Sequence, residues 1–133
     1  MNNSTPKKIL IADDEIYMLR LLEMTLKKGG YNVISCRDGR DALTLAANEQ
    51  PQLIVLDIMM PGLDGLGALR QLKENPATLG IPVVVLSAKG HALTKAEAEL
   101  AGAVLFLAKP FSPNQLLGEV QKILGMDDPD PKV

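Results

Sequence analysis

The sequence predicts a doubly wound α/β domain built on a five-stranded parallel sheet. Three observations predict it. Five short apolar runs recur, at Ile9–Ala12, Val33–Cys36, Leu53–Leu56, Val83–Leu86 and Val104–Ala108. Most are continuous and β-branched rather than alternating, the pattern of strands buried on both faces. Helical periodicity fills the gaps, so strand and helix alternate five times, as parallel crossovers require. The chain has 133 residues, 47% apolar and 23% charged, which is one domain of ordinary globular composition.

Each element has its own signal. After the first run, Ile16, Leu19, Leu22 and Leu26 recur three or four apart, one face of a helix that Gly29-Gly30 stops. After the second, Ala42, Leu43 and Ala46 mark a helix that ends before Pro51. After the third, Leu66, Leu69 and Leu72 mark another, ending before Pro76. His91–Ala101 is a weaker helix whose large anchors are Leu93 and Leu100. The last helix has the clearest start. Ser112-Pro113-Asn114-Gln115 supplies a capping serine, a first-turn proline and a glutamine at the capping-box position. Leu116, Leu117, Val120, Ile123 and Leu124 then form an apolar face that Gly125 closes.

Composition excludes several functions. One cysteine, Cys36, leaves no intramolecular disulfide, and it reads as a buried, inert thiol. A single histidine, His91, with that cysteine cannot build a His/Cys metal cluster. Fourteen basic against 16 acidic residues give a net charge of −2, no footprint for nucleic acid. No apolar run approaches a membrane span, and the polar start before Ile9 is no signal peptide. A reducing, cytoplasmic setting is expected. The methionines Met18, Met24, Met59 and Met60 read as core filler or loop residues.

In an open parallel sheet, ligands bind at the carboxyl ends of the strands. The residues there are Asp13 and Asp14, then Asp57, Ser87, and Lys109-Pro110. Asp13 and Asp14 could merely cap the first helix. Three converging carboxylates would repel one another without a cation among them. Oxygen-only donors favour Mg²⁺ over Zn²⁺. Carboxylate, divalent metal, ammonium and hydroxyl together can hold a phosphoryl group, and a carboxylate can itself be the nucleophile. The first turn, Ala12-Asp13-Asp14-Glu15, lacks a glycine-rich phosphate cradle, so the phosphoryl group is expected on the protein rather than on a nucleotide.

The runs Ile9-Leu-Ile-Ala-Asp13-Asp14-Glu15, Leu56-Asp57-Ile-Met-Met-Pro61-Gly-Leu-Asp64-Gly65, Leu86-Ser87-Ala88-Lys89 and Phe106-Leu-Ala-Lys109-Pro110-Phe111 resemble the receiver domain of two-component response regulators. The resemblance covers about Lys8 to Gly125. It leaves 1–7 as an N-terminal extension and 126–133 as a flexible tail or the start of a linker. It implies a flavodoxin-like (βα)5 fold with strand order 2-1-3-4-5.

It also implies roles. Asp57 is the phosphoacceptor. Asp14 binds Mg²⁺ directly, Asp13 through a water, and Met59 through its carbonyl. Lys109 pairs with the phosphoryl group. Ser87 hydrogen-bonds it and moves on activation, while Phe106 turns inward. The Lys109–Pro110 bond is cis, and Pro61 with the Asp64-Gly65 turn shapes the loop after the nucleophile. The donor is a sensor histidine kinase, a histidine phosphotransfer domain, or a small molecule such as acetyl phosphate. The readout is the fourth helix, fifth strand and fifth helix, toward an unknown downstream protein. The molecule is a monomer or a phosphorylation-dependent dimer. It is a signalling domain that assists its own phosphorylation and dephosphorylation, not an enzyme.

Departures from the family pattern bear on this. Gly102-Ala103-Val104-Leu105 precedes the aromatic switch where many members carry an acidic residue. The charged residues of one DNA-binding subclass's dimer do not line up in Leu105 or the last helix. Met59 and Lys89 occupy positions that tune phosphoryl lifetime, and a bulky Met59 predicts a long-lived acyl phosphate. Three rivals differ in what they require. A phosphatase of the haloacid-dehalogenase type needs a second aspartate where Met59 stands. A flavodoxin-like binding module needs a Ser/Thr/Gly-rich first turn. A degenerate receiver acting as a phosphorylation-independent interaction module needs no reactive site, yet every key residue is present.

Overall fold

The computed structural model describes residues 6–60, 65–87 and 95–125. Its elements alternate throughout: β1 (Lys8–Ala12), α1 (Ile16–Lys28), β2 (Asn32–Cys36), α2 (Gly39–Glu49), β3 (Leu53–Asp57), α3 (Gly65–Glu74), β4 (Val83–Ser87), α4 (Lys95–Leu100), β5 (Leu105–Ala108) and α5 (Pro113–Ile123). All four strand pairings are parallel, and the order is β2-β1-β3-β4-β5. The chain switches direction between β1 and β3, which opens a crevice at the carboxyl ends of those strands.

Period-two alternation sorts the sheet's side chains onto two cores. Leu10, Ala12, Ile54, Leu56, Val83 and Val85 face one side and pack against Ala42, Ala46, Ala68, Leu69, Leu72 and Ala98 of α2, α3 and α4. Ile9, Ile11, Leu53, Val55, Val84, Leu86 and Leu107 face the other and pack against Leu19, Leu22 and Leu26 of α1 and Leu116 and Val120 of α5. β3 and β4 are buried along their whole length, which is why their sequences run apolar without alternation. Burying a Leu or Ile side chain is worth roughly 1.5–3 kcal/mol, so these two layers hold the strand ends rigidly in register.

Helix starts follow local chemistry. The Ser112 hydroxyl accepts from the Gln115 N–H at 2.9 Å with Pro113 in the first turn of α5. The Asp38 carboxylate accepts from the Asp41 N–H at 2.8 Å at α2. α1 has no side-chain cap at Glu15.

Four expectations need correction. Ile16 opens α1 but is 37% exposed, in a first turn whose neighbours Glu15 and Tyr17 are exposed too, while Leu19, Leu22 and Leu26 reach the core. Leu100 ends α4 at 88% exposure and anchors nothing; the buried residue of that helix is Ala98. Val104 precedes β5 and is half exposed, although its N–H donates to the Val83 carbonyl at 2.9 Å. Met24 is an exposed helix residue, neither core nor loop. Cys36 is buried as expected, and burial pushes its thiol up to about 11. His91, Leu93, Lys89 and the segments 1–5 and 126–133 lie outside the described residues. No helix among the described residues is long and apolar enough to cross a membrane.

Candidate functional site

The sheet register builds the site. Ala12 pairs with Leu56, so carrying the ladder one residue on sets Asp13 beside Asp57. Asp57 is the last residue of β3 and pairs with Leu86. Ser87 is the last residue of β4 and pairs with Ala108. The Lys109 N–H donates to the Ser87 carbonyl at 2.7 Å, which fixes where the lysine leaves the sheet. The Lys109–Pro110 peptide is cis.

Asp13 is fully buried, and Asp57 and Ser87 are nearly so. Carboxylate oxygens of Asp13, Asp14 and Asp57 all lie within 4.8 Å of one another. Lys109 Nζ stands 3.3 Å from Asp13 Oδ2, 3.5 Å from Asp57 Oδ2 and 3.7 Å from Glu15 Oε1. Burial raises the Asp13 carboxyl to about 6, the backbone N–H of Glu15 opposes that rise, and the charge of Asp57 adds to it. Burial pulls the Lys109 ammonium down, but Asp13, Asp57 and Glu15 together outweigh it and hold the group above its ordinary value. One ammonium among four carboxylates leaves the pocket net negative, and a hard divalent cation suits an all-oxygen donor set of this kind.

Hydrogen bonds fix the carboxylates. Asp13 Oδ1 accepts from the Glu15 N–H at 2.9 Å, a turn outside the helix rather than a helix cap. Asp57 Oδ1 accepts from the Met59 N–H at 3.1 Å. Met59, two residues past Asp57, is 49% exposed, and its side chain offers no acid or base. The phosphatase's second carboxylate therefore has no counterpart at that position. Gly65 begins α3 with its N–H on the Ile58 carbonyl at 3.1 Å. A Cβ there would stand 2.4 Å from the Asp57 carbonyl oxygen and from Ile58 Cα, so only glycine fits behind the nucleophile's strand end. Phe106 is half-buried on β5 against the core shared with α2, α3 and α4. Pro61 and Asp64 lie outside the described residues.

Two residues at the site carry no role in the sequence reading. Glu15 joins the Lys109 cluster, and Arg37 donates from Nη2 to the Asp14 carbonyl at 3.0 Å. Glu15 adjoins the acidic pair and could have been flagged by position. Arg37 follows a different strand, and only the β1–β2 pairing brings it near.

Comparison with known proteins agrees with this geometry. Residues 9–121 match the response regulator receiver domain family. The chain is 42% identical over 118 residues to the alkaline phosphatase synthesis transcriptional regulatory protein PhoP of Bacillus subtilis, covering 89% of this chain and 48% of that protein. It is 40% identical over 114 residues to protein PilG of Pseudomonas aeruginosa, covering 86% of this chain and 84% of that one. The chain spans about half the length of the first curated relatives it matches. Its fold superposes with a TM-score of 0.83 and 27% identity on the receiver domain of the sensor histidine kinase PA1611 of Pseudomonas aeruginosa. That match covers 91% of this chain and 99% of the other, which was solved with a magnesium ion in its active-site cleft. With a strand-end carboxylate cluster, a lysine on it and a family match across nearly the whole fold, this chain belongs to the response regulator receiver domains of two-component systems.

Proposed function

We propose that the chain takes a phosphoryl group on Asp57 from a phosphohistidine donor in an Mg²⁺-dependent reaction, and signals by the resulting change of shape. The contact of Lys109 Nζ with Asp57 Oδ2 at 3.5 Å, inside the acidic cluster, carries this reading. Bound Mg²⁺ would supply charge neutralisation for the phosphoryl oxygens. Asp14 and Asp57 would hold it through their carboxylates, Met59 through its carbonyl, and Asp13 through a water. The PA1611 receiver's magnesium supports that assignment.

Asp57 attacks with a carboxylate oxygen. An O–P bond forms to Asp57 as the donor's N–P bond breaks, and the imidazole leaves. The Met59 N–H holds the other Asp57 oxygen, which orients the attacking one. Lys109 exchanges part of its contact with Asp57 for the incoming phosphoryl oxygens. Ser87 donates its hydroxyl to one of them. Phe106 then turns inward, and the altered face is α4, β5 and α5. The donor is a sensor kinase or histidine phosphotransfer domain in a cytoplasmic setting, with residues 8–125 as the receiver unit.

Intact mass after incubation with acetyl phosphate tests the reading. A phosphoryl adduct that needs Mg²⁺ and is absent from Asp57→Asn is expected. An adduct that survives Asp57→Asn, or that forms equally in a chelator, overturns it.

A further inference from the structure

The β1–β2 ladder ends at the pair Ala12 and Cys36. One residue on, the Asp13 N–H still reaches the Cys36 carbonyl at 3.2 Å. Asp13 is then held on three sides: by that bond, by the Glu15 N–H on Oδ1, and by Lys109 on Oδ2. Asp14 is half-buried and lies past the ladder. Among the described residues, the hydrogen bond that reaches it comes from Arg37, whose Nη2 donates to the Asp14 carbonyl at 3.0 Å. Arg37 is itself exposed and immediately follows β2, so its long stem spans the gap left where the strands part.

We propose that Arg37 is a positioning residue for metal binding: by holding the Asp14 carbonyl, it fixes the backbone that presents the Asp14 carboxylate to Mg²⁺. This rests on Asp14 as a metal ligand, as read above. Mg²⁺ demands near-ideal octahedral geometry and sheds water reluctantly, so its affinity depends on where each carboxylate stands. Groups behind metal ligands typically contribute 10- to 100-fold in affinity.

The charge of Arg37 acts in the opposite sense. A cation beside an acidic pocket repels a divalent metal, and removing it on that account alone tightens binding. The sign of the effect therefore separates positioning from charge.

The experiment is calorimetric titration of Mg²⁺ into the full chain and into Arg37→Ala, Arg37→Lys and Asp14→Asn, at high salt where exposed charge is screened. Thermal melts in chelator accompany it, and Arg37→Ala should melt close to the parent, since the residue is exposed. Arg37→Ala should weaken Mg²⁺ binding roughly tenfold. Arg37→Lys, which keeps a donor on a long stem, should recover most of it. Asp14→Asn should abolish it. Unchanged or tighter binding in Arg37→Ala, with Asp14→Asn inactive, overturns the positioning role and leaves Asp14 a ligand. Binding in Asp14→Asn equal to the parent overturns the metal assignment, and the role of Arg37 with it.

Discussion

Lys109 stands within 3.3–3.7 Å of three carboxylates, and its charge is what lets Asp13 and Asp57 share a nearly dry pocket. That arrangement was legible in the sequence because apolar runs mark where strands end, and strand ends of a parallel sheet converge. Asp13, Asp14, Asp57, Ser87 and Lys109 were all placed this way. Arg37 was not, because its contact depends on a long side chain crossing between loops, which no periodicity encodes. Met59 offers a residue-scale test. Its N–H orients Asp57, and its half-exposed side chain, two residues past the nucleophile, is the bulk expected to hinder the water that attacks the phosphorus. Met59→Ala keeps the N–H and removes the bulk. The acyl phosphate of the parent should outlast that of Met59→Ala by about tenfold, which is ~1.4 kcal/mol of barrier. Decay of phosphate label can be followed by intact mass. Loss of the parent's label within seconds contradicts the steric account.

Helices show where pattern reading succeeds and where it stops. Spacing of three and four places Leu19, Leu22 and Leu26 on the buried face of α1, but cannot tell that Ile16, in the first turn, stays exposed. α4 was weakly marked because its one buried residue is Ala98, and alanine carries little periodic signal. Its Leu100 is a large apolar residue in water, against the usual rule. Capping chemistry was firmer: Ser112 accepts from Gln115 as its sequence implied. Two substitutions separate element stability from site geometry. Ser112→Ala should cost about 1 kcal/mol in denaturant unfolding and leave acetyl phosphate labelling unchanged. Gly65→Ala must push a methyl against the Asp57 carbonyl and Ile58 Cα, both backbone. It should cost about 1–3 kcal/mol and also slow labelling, because the atoms displaced carry the nucleophile. Equal labelling by Gly65→Ala and the parent would mean that α3 can shift without moving Asp57.

Asp13, Asp14, Glu15 and Asp57 gather at the carboxyl ends of the sheet's strands, and this has a consequence for the stability of the whole molecule. Burial first, and the neighbouring Asp57 charge with it, hold the Asp13 carboxyl at about 6 against an ordinary 3.8. The folded chain therefore keeps a proton there that the unfolded chain has already released. Where the folded state binds more protons, stability falls as pH rises. The metal-free protein should lose stability as pH climbs from about 4 to about 6, after which the cost of an ionised Asp13 is constant. At ~1.4 kcal/mol per pH unit that cost is on the order of 2–3 kcal/mol. Asp13→Asn retains an oxygen for the Glu15 N–H but cannot ionise. In chelator near neutral pH it should be more stable than the parent by about 1–3 kcal/mol, and near pH 4 the advantage should vanish. Bound Mg²⁺ stabilises the parent by mass action and should narrow the gap, while weakening of the site in Asp13→Asn leaves that variant nearly indifferent to the metal. Chemical unfolding across this pH range, with and without Mg²⁺, reads all three effects. A parent whose metal-free stability rises between pH 4 and 6 relative to an unchanging Asp13→Asn would show that Lys109 rather than burial sets the charge of Asp13.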